Sequence, residues 1–130
     1  VRARLILVAA VAIALCGCGR RLNAVYEPVP GTKANFSFVF HSEGNGWVLI
    51  GNYAFGCTYN VSGDEMRIHI PNGPNGNYLR PVPLDMRVFL LNGGSRLVGG
   101  PMRDSYWQVM QGSTVEQAEQ VIARNMIVHR

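Results

Sequence analysis

The sequence predicts a mainly β domain, a small antiparallel sheet or sandwich, with one C-terminal helix. The neighbouring class is α+β. Three observations lead there. Apolar and polar residues alternate at period two in several short runs. Clusters of Gly, Asn, Pro and Ser separate those runs at hairpin-like intervals. After residue 113 the apolar period becomes helical.

The elements follow in order. Phe36, Phe38 and Phe40 alternate with Ser37 and Val39, as in a half-buried strand. Glu43-Gly44-Asn45-Gly46 reads as a turn, because Asn-Gly accepts the backbone of a tight hairpin. Trp47 to Ile50 is the partner strand. Tyr53 to Val61 continues with aromatic and β-branched residues, and Ser62-Gly63-Asp64 turns the chain again. Met66, Ile68 and Ile70 then share a core face, with Arg67 and His69 on the wet face.

Residues 71–77 repeat Pro-Asn-Gly, which is turn chemistry and not a structural repeat. Arg80-Pro81-Val82-Pro83 is extended. Leu84, Met86, Val88 and Leu90 point one way from the next strand; Asp85, Arg87, Phe89 and Leu91 point the other. Asn92-Gly93-Gly94-Ser95 turns it into Arg96-Leu97-Val98, and Tyr106 to Met110 forms a further strand. Ser113-Thr114-Val115-Glu116 fits a capping box, with Ser113 as N-cap and Glu116 reaching back. Val115, Ala118, Val121, Ile122 and Met126 make the apolar face of a helix of roughly a dozen residues. Glu116, Gln117, Gln120 and Arg124 are its wet face.

The amino-terminal segment has a different character. Arg2 and Arg4 precede an apolar run from Leu5 to Cys16. That run is too short to span a bilayer, which takes roughly 20 residues, and has the length of a secretory h-region, about 7–15. Val1 fits a bacterial GTG start codon translated literally. Leu15-Cys16-Gly17-Cys18 resembles the lipobox of bacterial prolipoproteins, with leucine three before the final cysteine and a small residue just before it. Cys16 departs from the commoner Ala or Ser at its position. The resemblance implies cleavage before Cys18, lipidation of Cys18, and a membrane partner through that lipid. Gly19 follows the cysteine where an aspartate would retain the protein at the inner membrane. The resemblance therefore implies the bacterial outer membrane, with the domain in the periplasm.

Three segments are thus expected: a signal peptide at 1–17, a lipidated cysteine with a flexible tether at 18–33, and one β-rich domain at 34–130. Pro28 and Pro30 favour extended geometry in the tether. The formal charge of +4 counts Arg2 and Arg4, which leave with the signal, so the remaining chain is nearly balanced. Lys33 is its one lysine and basic residues do not cluster, so charge does not support a nucleic-acid partner and none is expected. A mean hydropathy of +0.07 excludes a polytopic helical membrane protein.

Motifs for chemistry are missing. His41, His69 and His129 have no second ligand at metal spacing, so neither a metal nor a cofactor is expected. The carboxylates Asp64, Glu65, Asp85 and Asp104 are scattered. The glycine-rich stretch 93–100 lacks the Gly-Lys-Ser/Thr of a phosphate loop. Cys57 lies in a strand and reads as buried and inert. Trp47, Trp107 and the five tyrosines read as packing rather than a sugar platform. No enzyme and no small-molecule ligand is expected.

The expected function is a structural or protein-interaction module of the envelope, with an envelope protein as partner. The alternative is an immunity or inhibitor lipoprotein acting through a loop. Residues 71–77, or Met102, Arg103 and Asp104 with Trp107, would supply that loop. Within 77–107, the run Arg80-Pro81-Val82-Pro83-Leu84-Asp85-Met86-Arg87-Val88-Phe89-Leu90-Leu91 resembles a segment of the outer-membrane lipoprotein of type VI secretion. That family places a Pro-led strand in a transthyretin-like β-sandwich. Here the strand comes late in the chain, which departs from the family.

Overall fold

The computed structural model describes residues 21–75, 81–99 and 104–130. The strands are β1 (Ala24–Pro28), β2 (Ser37–Phe40), β3 (Asn45–Ile50), β4 (Tyr53–Ser62), β5 (Glu65–Gly73), β6 (Val82–Leu91), β7 (Arg96–Gly99) and β8 (Tyr106–Val109). Helix α1 (Val115–Asn125) and a short β9 (Ile127–His129) follow. Each of β1 to β8 pairs antiparallel with the next, and β8 returns to pair with β1 through Tyr26↔Val109, Glu27↔Gln108 and Pro28↔Trp107. The mainly β class with one C-terminal helix is as expected from the sequence, and the sheet closes on itself as an eight-stranded up-and-down barrel. Closure leaves none of β1 to β8 as a sheet edge. The sandwich implied by the type VI likeness is not the architecture of these residues.

Alternation sorts the side chains into two cores. The first fills the barrel: Tyr26, Phe36, Phe38, Phe40, Phe55, Tyr59, Met66, Ile68, Val88, Leu97 and Trp107 are all buried there. A barrel of this strand number is just wide enough for side chains to fill. Ring contacts hold the filling together, with Phe38 at 5.2 Å from Phe40 and 5.0 Å from Trp107 between centroids. The second core lies outside the wall, where α1 covers Val25, Val39, Trp47 and Ala54 with Val115 and Ile122. Strands β1 to β4 are therefore apolar on both faces beneath the helix. The opposite wall, β5 to β8, is apolar chiefly on its inner face.

Several sequence expectations change. The tether was expected to reach residue 33, with the domain starting at 34. The folded chain begins earlier, because Leu22 is buried and Ala24–Pro28 is β1. Val25 faces the helix while Ala24 and Tyr26 face the barrel. Asn45-Gly46 is not the hairpin turn; the chain turns at Ser42–Gly44, with the His41 N–H bonded to the Asn45 carbonyl at 2.8 Å. Gly46 belongs to β3, where a Cβ would land on the Val39 carbonyl oxygen. The helix cap sits one residue later than expected. Thr114 Oγ1 accepts from the Gln117 N–H at 3.2 Å, and the Gln117 side chain accepts from the Thr114 N–H at 3.1 Å. Val121 is 52% exposed and does not join the apolar face.

Strand β4 has three neighbours. β3 pairs along Tyr53 to Thr58, β5 takes over the other side from Thr58 onward, and β9 runs parallel beside Tyr53 to Phe55. β5 parts from β4 after His69, just before Pro71, which has no N–H for the ladder. β9 occupies β4 where β5 has left it.

Candidate interaction surface

The wall that α1 leaves bare carries an ordered set of side chains. Register places Glu65 opposite Phe89, Phe89 opposite Val98, and Val98 opposite Tyr106. The four form one row across β5, β6, β7 and β8 on the outer face. Phe89 is 42% and Tyr106 39% exposed, with Val98 half-buried between them. Isolated exposed apolar residues are ordinary on proteins, whereas a row aligned over three adjacent strands is a continuous apolar strip.

Charged rows flank the strip. Towards one end of the barrel, Arg67 and Arg87 stand directly opposite each other on β5 and β6. Like charges in that register repel. Glu65 offsets the repulsion by accepting from Arg67 Nε and Arg87 Nε, both at 3.0 Å on the same oxygen. His69 and Asp85 form the next cross-strand pair at 2.8 Å. His69 had been expected to be simply solvated; the register gives it a carboxylate partner. Towards the other end, Leu91, Arg96, Gln108 and Glu27 form the row, with Gln108 Nε2 donating to Glu27 at 3.2 Å.

A second polar cluster joins α1 to the barrel. Glu119 on the helix accepts from Trp47 Nε1 at 2.9 Å and pairs with His41 Nε2 through the same oxygen. Burial alone would raise this carboxyl. The hydrogen bonds from His41 and Trp47, with the positive charges of His41 and Arg130, outweigh it and hold the group below its usual value. The Arg130 guanidinium lies 5.4 Å from the Trp47 ring centroid. A cleft of about 330 Å³ opens between Trp47, Gly56, Glu119 and Arg130. Glu119 was not singled out from the sequence, since a carboxylate on a helix ordinarily reads as solvated.

The residues expected to matter are placed as follows. Cys18, Met102 and Arg103 lie outside the described residues. Asp104 is an exposed turn residue at φ 56°, and its carbonyl accepts from Thr32 Oγ1 at 2.8 Å. Trp107 is not available to a binding loop: it is fully buried and its indole donates to the Phe36 carbonyl at 2.8 Å. Its neighbour Tyr106, one residue earlier on the strand, is the exposed aromatic. Cys57 is buried and desolvation pushes its thiol up to about 12. Among the described residues no three His, Cys, Asp or Glu side chains are grouped to hold a metal. No helix among them is long and apolar enough to cross a membrane.

Comparison with protein-family models, with curated proteins and with solved structures finds no match to the chain.

Proposed function

We propose that the chain is a bacterial envelope lipoprotein, anchored in the outer membrane through Cys18 and facing the periplasm, that acts as a protein-interaction module through the bare wall of its barrel. The observation that carries the interaction half is the Phe89–Val98–Tyr106 strip between its two charged rows. Aromatic and arginine side chains are the residue types that dominate protein contacts. The filled interior argues the same way, since the rings that pack the barrel leave the outer surface to meet a partner. The anchoring half rests on the lipobox-like residues 15–18.

The test has two arms. Labelled palmitate should enter the wild-type protein in cells and not Cys18→Ala. A photo-crosslinking residue at Val98 should trap an envelope protein, and the double variant Phe89→Ser, Tyr106→Ser should abolish that adduct while the protein stays folded. An unchanged adduct in the double variant would reject the wall as the contact surface.

A further inference from the structure

The folded chain already includes Leu22, which limits how far the barrel can sit from a lipid on Cys18. Leu22 is buried in the inner core, and its backbone is clasped by the Tyr59 hydroxyl, which accepts from the Leu22 N–H at 3.0 Å and lies 2.9 Å from the Leu22 carbonyl. The same hydroxyl bonds the His41 carbonyl. Residue 22 is thus fixed to the barrel, at the end where β1 begins. Strand alternation brings the Ser42–Gly44 and Gly63–Asp64 turns, the Asn92–Ser95 turn and the β8–α1 link to that same end.

Only Gly19, Arg20 and Arg21 separate Cys18 from Leu22. Four residue steps span at most roughly 14 Å, whatever conformation they take. The headgroup layer of one leaflet is itself about 5–7 Å thick. A barrel fixed at Leu22 to a lipid on Cys18 is therefore held with its Leu22 end within about 10 Å of the headgroup surface.

The chemistry of that end differs between its two halves. Below β2 to β5 the turns carry Glu43 and Asp64, with the Arg21 side chain against Gly44, so the charges there are mixed. Below β6 to β8 the turns are Asn92–Ser95 and 111–114, without a carboxylate. Leu91 and Met110 are exposed at this rim, and Arg96 stands between them on β7, beside a cleft of about 420 Å³ that also reaches Glu27 and Gln108. Apolar side chains next to an arginine suit the boundary between headgroups and acyl chains.

We infer that the Leu22 end of the barrel rests on the lipid surface, tilted so that Leu91, Arg96 and Met110 enter the headgroup layer. The inference rests on the lipid anchor proposed above. It also sets the Phe89–Val98–Tyr106 strip just above the membrane plane, where an envelope partner would be met side-on.

The test uses the full-length lipidated protein, purified from cells and reconstituted in phosphatidylethanolamine–phosphatidylglycerol vesicles that contain a shallow spin-labelled lipid. An environment-sensitive fluorophore is attached at Gln111→Cys on the Leu22 end, or at Asn52→Cys on the opposite end. Both positions are exposed, and buried Cys57 does not compete for the label. About half the fluorescence or more should be quenched at position 111, and almost none at 52. Equal quenching at the two positions, in protein that carries palmitate, overturns the membrane contact and leaves the anchor standing. Protein without palmitate overturns both.

Discussion

Trp107→Phe tests whether this residue staples the barrel or serves a binding loop. The indole is fully buried, 5.0 Å from the Phe38 ring and 5.3 Å from the Phe36 ring, and its N–H satisfies the Phe36 carbonyl at 2.8 Å. Phenylalanine keeps an aromatic ring there and removes the donor. A buried carbonyl left without a partner costs about 1–3 kcal/mol. The lost ring volume, roughly 40 Å³, adds about 1 kcal/mol if the site cannot collapse. The total is about 2–4 kcal/mol, a large part of a domain stability of about 5–15 kcal/mol. With a urea slope of about 1.5 kcal/mol per molar, the unfolding midpoint falls by about 2 M. Urea titration followed by fluorescence of the remaining tryptophan, Trp47, measures it. A loss below about 0.5 kcal/mol would refute the staple, because surface substitutions cost no more than that.

Three further outcomes follow from the geometry. Gly46→Ala should cost about 3 kcal/mol or more, since its Cβ would strike the Val39 backbone; Gly63→Ala, at φ +61° with open space around it, should cost only about 1–2 kcal/mol. Thermal melts of the two variants would separate them, and equal losses would contradict the close approach of β2 and β3. The depressed Glu119 carboxyl contributes stability that is full above the ordinary carboxylate pKa and is lost as pH falls through its lower folded value. Glu119→Gln should therefore be less stable than wild type near neutrality and should lose less on acidification, as read by denaturant midpoints from pH 6 down to pH 3. Cys57, raised to about 12, should react with a disulfide reagent at pH 8 about a hundredfold or more slowly in the native protein than in urea. Comparable rates would show that the strand opens readily.

The inner face of β6 was legible because Leu84, Met86, Val88 and Leu90 alternate without interruption. β1 was hidden for a physical reason. Ala24, Val25 and Tyr26 are apolar on both faces because the helix covers one and the barrel the other, so period two disappears, and Pro28 and Pro30 then suggest a linker. The capping box was found one residue early because Ser113-Thr114-Val115-Glu116-Gln117 offers two frames, and only the docking of Val115 chooses between them. The apolar strip and the Glu65, Arg67 and Arg87 cluster could not be read, because they exist only in the register between strands. Phe89 and Tyr106 lie on different strands and come together only through Val98. Barrel closure was equally invisible, since no local pattern says that the last long-range pairing is with the first strand.

That closure governs the order in which the chain can fold. Glu27 and Gln108 face each other across the seam, 81 positions apart in the sequence. Neighbouring hairpins can form locally, but β1 has no second neighbour until β8 exists. The segment that then shields the outer face of β1 and β2 is α1, which comes later still. A nascent chain ending before Tyr106 therefore holds an open, curled sheet with two sticky borders and an uncovered apolar flank. Such a chain invites pairing with another copy of itself. The barrel is therefore completed only when about the last fifth of the chain, with β8 and α1, is present.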